Sequence, residues 1–401
     1  MVQPQKATQQ QTKAYNSQLV LKTIYDRGQI SRAEIARLTN LTRTTVSELV
    51  TELQDRGLVE EIGLGPSIGG RSPILLSMVD DARHVIGIDL ANDEFSGAVF
   101  NLRNEIVHTA RVPVAGENGE AALAGVYTLI DHLIGGTHQP LLGIGIGTPG
   151  LVDTPNGVVL RAVNLAWRNL PLERLLEERY HLPVYVVNDS QLAAMAHFMF
   201  GQGQPPANVI VIMAGHGVGA GMVLNGQLFQ GDGGGAGEIG HVAVVEGGRL
   251  CRCGNHGCLE TVVSVGSIAA RAAVVAQTQP DSRLHALAGD PQKLTIGVVR
   301  QAAEAGDAAA LAVVEETARY LSIAVANLVG VLNVQRIIVA GALAGLGPLL
   351  QQHTQREMRR RALPALAQNT HVELAAQDSN IVVRGAAALL LARELGLSPT
   401  R

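Results

Sequence analysis

The residues with the most distinctive chemistry sit close together. Cys251, Cys253 and Cys258 are the only cysteines of the chain, and His241 stands ten residues before the first of them. Three thiolates and one imidazole at such spacing supply the full tetrahedral shell of a structural zinc site, closed by four protein ligands. Three small buried residues that happen to be neighbours would look similar, but that reading does not explain why every thiol of the chain is gathered there. A closed site holds a fold together without performing catalysis, so the metal alone names no function.

The chain that must position these residues has 401 of them, 47% hydrophobic and 16% charged, enough apolar material for two or three domains. No apolar run reaches the length of a membrane span, and Met1 to Thr12 is Gln-rich and polar, unlike a secretory leader. A cytoplasmic protein without membrane partners is expected, and reduced thiols in that compartment favour metal binding over disulfides. The net charge of −4 argues against a general nucleic-acid coat. Its distribution is uneven: residues 1 to 43 carry Lys6, Lys13, Lys22, Arg27, Arg32, Arg37 and Arg43 against only Asp26 and Glu34.

That basic segment has the periodicity of a DNA-reading module. Asn16 can cap a first helix that presents Leu19, Val20, Leu21 and Ile24 and ends at Gly28. Ser31, with Glu34 three residues on, has the capping-box pattern of a second helix that turns Ile35, Ala36 and Leu38 inward. A third helix runs from Thr42, with Val46, Leu49, Val50 and Leu53 at helical spacing. Its N-terminal part offers Arg43, Thr44, Thr45 and Ser47, and in a helix-turn-helix that part meets base edges in the major groove. Arg32 joins this candidate DNA surface, and residues 58 to 78 read as the wing. Within them, Arg71 stands bare between glycines and a proline in "GGRSP". Such an arginine suits a narrow minor groove, and the same five residues read equally as a linker turn.

From about residue 83 the pattern alternates strands and helices. Residues 84 to 114 read as three strands, residues 121 to 133 as a helix, and "LLGIGIGTPG", "PVYVVNDS" and "ANVIVIMAGHGVGAG" as further strands ending in polar or glycine-rich turns. Two related α/β halves follow, with polar strand ends lining a cleft between them.

On these motifs the sequence resembles the ROK family, which groups bacterial sugar kinases with sugar-responsive repressors. The similarity spans essentially the whole chain. Its most specific part is "GEIGHVAVVEGGRLCRCGNHGCLE", supported in order by "GIGTPGLVD", "NLAW" and "VNDSQLAAMAHFMFGQG". An N-terminal winged helix places the chain near the family's repressor branch, that of the xylose and N-acetylglucosamine repressors. The resemblance implies a winged helix-turn-helix over residues 1–80, followed by a two-lobed actin-like, RNase H-like sugar kinase fold. Its first lobe would span 81–200, completed by a C-terminal helix over 380–401, and its second lobe, with the zinc loop, 201–379.

The resemblance further implies a sugar site of Asn188, Asp189, Glu238, His241 and Glu260, with Gly150 and Asn164 alongside. A ring of sugar hydroxyls, each donor and acceptor, calls for several carboxylates and amides. His241 would serve zinc through one ring nitrogen and the sugar through the other. Zinc would then hold Glu238 and Glu260 in place rather than react. In the kinases the residue matching Asp189 takes the proton from the attacking hydroxyl. Here the phosphate segment Asp-x-Gly-Gly-Thr reads "DLAND": Asp89 is kept, but Ala91, Asn92 and Asp93 replace residues that let a backbone approach phosphate, and Asp93 would repel it. His216 replaces the usual threonine of the second phosphate segment, and "IVAGALAG" around Gly341 is a weak echo of the adenosine segment. A dimeric or tetrameric repressor that binds operator DNA and a monosaccharide or its derivative, without catalysis, is therefore expected. The alternatives are an active sugar kinase carrying a DNA module, and a regulator answering to a protein partner.

Overall fold

Helix propensity carries the first helix further toward the N-terminus than Asn16. It spans Gln9–Arg27, because Thr8 and Gln11 cap each other reciprocally and the Gln-rich stretch continues the helix. Gly28 ends it at φ +72, donating its amide to the Ile24 carbonyl. The computed structural model describes residues 8–66, 72–90, 94–114, 116, 118–201, 207–376 and 378–397.

Ser31 caps the second helix, Arg32–Thr39, by accepting from the Glu34 amide, and Thr42 caps the third, Arg43–Asp55, by accepting from the Thr45 amide. Val20, Ile24, Ile35, Val46, Val50 and Leu53 have no exposed surface and form the core of this three-helix unit. The wing strands Val59–Leu64 and Ile74–Met78 pair antiparallel, and Ile30–Ser31 adds a short third strand. Residues 67–71, Arg71 among them, lie outside the described residues.

By contacts the chain divides into two compact units. The first holds the winged helix together with residues through Val152, Asn156–Val187 and Val383–Thr400. Its main sheet has the strand order Val184–Asn188, Leu141–Thr148, His84–Leu90, Glu94–Phe100, Ile106–Pro113. The last three form an antiparallel meander, and His84–Leu90 runs parallel to Leu141–Thr148. The helix Gly119–Gly135 buries Val126, Leu129, Ile130 and Leu133 against Phe95, Val99 and Ile144 of the sheet. The other face takes the C-terminal helix Ile381–Leu395, which lies so close that a Cβ on Gly87 would come within 2.2 Å of the Val383 carbonyl oxygen.

The second unit comprises Asp153–Pro155 and Asn188–Val382. It therefore includes the helix Asp189–Phe200, which the division at residue 200 had assigned to the first lobe. Its sheet repeats the plan: the meander Gln227–Leu228, Val218–Leu224, Val209–Ala214, then Arg336–Ala340 and His371–Leu374 in parallel. The long helix Ala308–Leu332 fills its core, started by Asp307, whose carboxylate accepts from the amides of Ala309 and Ala310. Among the described residues no helix is long and apolar enough to cross a membrane.

Candidate functional site

His241, Cys251, Cys253 and Cys258 converge, all four ligand atoms lying within 4.8 Å of one another. The Cys253 and Cys258 sulfurs are 3.7 Å apart, and the Cys251 sulfur is 3.6 Å from His241 Nδ1. A tetrahedral metal with sulfur bonds of about 2.3 Å requires ligand separations near ~3.8 Å, so the residues fit such an ion. Turns build the site. Cys251 donates its amide to the Asn255 carbonyl, and the Cys258 sulfur is held at the His241 carbonyl. Burial, followed by hydrogen bonding to the other thiols, pushes the Cys258 thiol up to about 12. A bound divalent cation overrides that preference, since a coordinating thiol is deprotonated outright.

The imidazole of His241 joins this cluster to a group of carboxylates. Its Nε2 lies 3.8 Å from Glu238 Oε2, on the opposite edge of the ring from the sulfurs. Burial pushes the Glu238 carboxyl above its ordinary range; His241 opposes that rise, while Asp189 and Glu260 reinforce it. Asp189 is also raised by burial, against hydrogen bonds from the amide and hydroxyl of Ser190. Asn188 caps the helix Asp189–Phe200 by accepting from the same Ser190 amide at 2.9 Å. Glu260 begins the one-turn helix after the cysteine loop, and its Oε2 accepts from the Val218 amide at 3.2 Å. The second unit thus brings together Asn188, Asp189, Glu238, His241 and Glu260.

Two glycines make this convergence sterically allowed. A Cβ on Gly221 would sit 2.0 Å from the Ser190 carbonyl oxygen, so the strand Val218–Leu224 can receive the start of the Asp189 helix only there. Gly237 has φ +102, and its Cβ would fall 1.8 Å from the Ala220 oxygen, which lets the Glu238 loop lie against the same strand.

Sequence reasoning missed the residues that hold the loops. Gln191, buried, donates to the carbonyls of Gly234 and Ala236 just before Glu238. Ser267 donates to the Thr261 carbonyl at 2.8 Å, and Arg271 to the Val262 carbonyl at 2.8 Å and the Thr317 hydroxyl at 2.7 Å, which pins the turn bearing Glu260. Their only signal was a polar residue on an otherwise apolar helix face.

Gly150 and Asn164 belong to the first unit. Gly150 adopts φ +89, packed under the Arg161 carbonyl, and Asn164 is exposed in the turn between Val158–Ala162 and Trp167–Leu170. Asp89 is half-buried at the end of its strand, while Ala91, Asn92 and Asp93 lie outside the described residues. His216 is exposed at the turn where the Gly215 amide meets the Gly217 carbonyl. The site as a whole offers carboxylates, an amide and an imidazole in one partly buried setting. Such a set pairs with the hydroxyls of a neutral polyol and disfavours anions.

On the winged helix, Arg43, Thr44 and Ser47 are exposed along the start of the third helix. Thr45 is half-buried, with its hydroxyl 2.8 Å from that of Thr42 in the cap. Arg32 is engaged within the fold, paired with Glu61 of the wing at 2.8 Å and donating to Gln54 at 3.0 Å.

The ROK family model matches residues 85–393, and a MarR family model matches residues 19–63. The chain is 33% identical over 383 residues to the xylose repressor of Caldicellulosiruptor bescii, covering 94% of this chain and 96% of that protein. A glucokinase of Halalkalibacterium halodurans is 35% identical over 317 residues, 78% of this chain and 96% of the kinase. The crystal structure of a ROK family transcriptional regulator, a homologue of the Escherichia coli MLC protein, superposes with a TM-score of 0.84 at 27% identity, over 96% of this chain and 98% of that one. A winged helix-turn-helix followed by an actin-like sugar kinase fold is the architecture that the chain shares with that regulator.

Proposed function

This chain belongs to the ROK family, and from that premise we propose that it is a sugar-responsive repressor of carbohydrate-utilisation genes, released from its operator when a monosaccharide or derivative binds. The observation that carries the reading is the capped helix-turn-helix with its wing. It precedes a kinase-like fold whose kinase relative accounts for only 78% of the chain. Asn188, Asp189, Glu238, His241 and Glu260 of the second unit would bind the sugar hydroxyls; Gly150 and Asn164, which the family resemblance adds, belong to the first unit. Arg43, Thr44 and Ser47 would read bases, and Arg71 would enter a flanking minor groove. The metal would be zinc, which supplies fixed geometry to His241 and to the loop leading into Glu260. Two-fold operators call for at least a dimer. The test is to select duplexes from a random pool with the native protein and to measure their affinity with and without saturating monosaccharides, D-xylose and D-glucose included. Affinity unmoved by a sugar shown to fill the site would reject the repressor reading in favour of control by a protein partner.

A kinase reading has in its favour the retained Asp189 and Asp89 and the 35% identity to a glucokinase. Against it stand Ala91, Asn92 and Asp93 in place of the phosphate-binding glycines and hydroxyl. We expect no sugar phosphorylation with ATP and magnesium. Turnover in the ordinary kinase range of about 1–100 per second would overturn that expectation.

A further inference from the structure

Arg103 joins the winged helix to the α/β sheet of the first unit. Arg103 lies in the tight turn between the strands Glu94–Phe100 and Ile106–Pro113. Its Nε is 2.9 Å from Asp80 Oδ1 in the segment linking wing to sheet. Its Nη1 donates to the Tyr25 carbonyl at 2.7 Å, in the last turn of the first helix. The guanidinium carbon also stands 4.5 Å from the centre of the Tyr25 ring. Arg103 thus grips linker and helix end at once, and a planar fork is the side chain able to do so.

The turn that presents Arg103 is itself held rigid. Asn101 accepts from the amides of Arg103 and Glu105 and donates to the Glu105 carboxylate. The Leu102 amide bonds to the Asp80 carbonyl, and Arg384 of the C-terminal helix donates to the Asn104 carbonyl. Elsewhere between the winged helix and the rest of the unit, Arg83 donates to the Arg56 carbonyl at 3.2 Å and Gln18 packs beside Gly396. The first helix packs against the DNA-reading helix through Val20 and Ile24, buried with Val46 and Val50. The first helix therefore connects Tyr25 to the helix that carries Arg43 and Ser47.

We propose that Arg103 is a positioning residue for DNA recognition: by fixing the first helix to the α/β sheet it sets the spacing at which two copies of the chain can read two half-sites together. The inference rests on the DNA-binding, oligomeric reading above. A joint loosened at this point leaves each winged helix able to read its own half-site, but the pair loses its preferred separation.

The experiment uses full-length protein and duplexes carrying one copy, or two copies at varied spacing, of the half-site that the native protein selects from a random pool. The native protein should prefer its selected spacing over one shifted by about five base pairs, half a helical turn, by roughly tenfold or more. Arg103→Ala should bind the single half-site within about twofold of native while its spacing preference falls below about threefold. Arg103→Lys, which keeps the charge beside Asp80 but not the fork, should fall between them and serves if the alanine variant fails to fold. A folded variant with the native spacing profile overturns the proposal. Equal loss on single and double sites also overturns it, by showing a role in stability alone. If the native protein itself has no spacing preference, the oligomeric reading fails and takes the proposal with it.

Discussion

Cys253 is the most exposed of the three cysteines, yet its sulfur lies only 3.7 Å from the buried Cys258. Cys253→Ala should abolish the bound metal, measured as moles of zinc per mole of purified chain, and loosen the turn that carries Glu260. Full zinc occupancy in that variant would exclude it as a ligand. Asp189 gives a different expectation, because burial is the largest influence on its carboxyl and raises its pKa. The folded state then holds a proton more tightly than the unfolded chain does, so ionisation of Asp189 at neutral pH works against folding. The sign is opposite to that of a salt-bridged aspartate: stability from this group rises as pH falls through the raised pKa. Asp189→Asn should therefore melt higher than the native protein at alkaline pH, with the gap closing at acid pH as the native carboxyl takes up its proton through the raised pKa. An equal gap at both pH values would show that burial does not govern this group.

The elements were legible in the sequence where local rules act alone. Ser31 and Thr42 announced the two helices of the DNA-reading motif, and the alternation in residues 84 to 114 announced the first meander. Asn16 misled because a cap is decided by which residue is free to be non-helical, and the reciprocal Thr8–Gln11 pair wins further upstream. The cysteine cluster was legible from spacing, as was the grouping of Asn188, Asp189, Glu238 and Glu260 from motif. The supports Gln191, Ser267 and Arg271 were not, since their partners are backbone carbonyls brought near only by packing. The approach of the Asp189 helix to its strand was equally hidden, although it can be tested directly. Gly221→Ala should push the Ser190 carbonyl away and destabilise the second unit by about 1–3 kcal/mol, the usual cost of overpacking. Urea denaturation would show it; a variant as stable as the native chain would mean the helix has room to move.

For the whole molecule, a repressor that answers to sugar is a linkage problem. Ligand shifts an equilibrium only by its differential affinity for two states, so sugar and operator must change each other's affinity by the same factor, typically about 5- to 150-fold. Titrating sugar into free and operator-bound protein should show weaker sugar binding to the operator-bound form; equal affinity for the two forms would mean that sugar does not act on DNA binding. The route of the chain has a consequence of its own. The first unit is opened by residue 8 and closed by the helix Ile381–Leu395, with most of the second unit in between. During synthesis at about 5–20 residues per second, the sheet bearing Gly87 and Gly145 stays uncovered for about 10–40 seconds while the ribosome completes the second unit. A nascent apolar face left open that long is a natural client for chaperones. A frameshift or stop codon within the stretch encoding Ile381–Leu395 would be felt far upstream in the chain, in the unit that carries the winged helix.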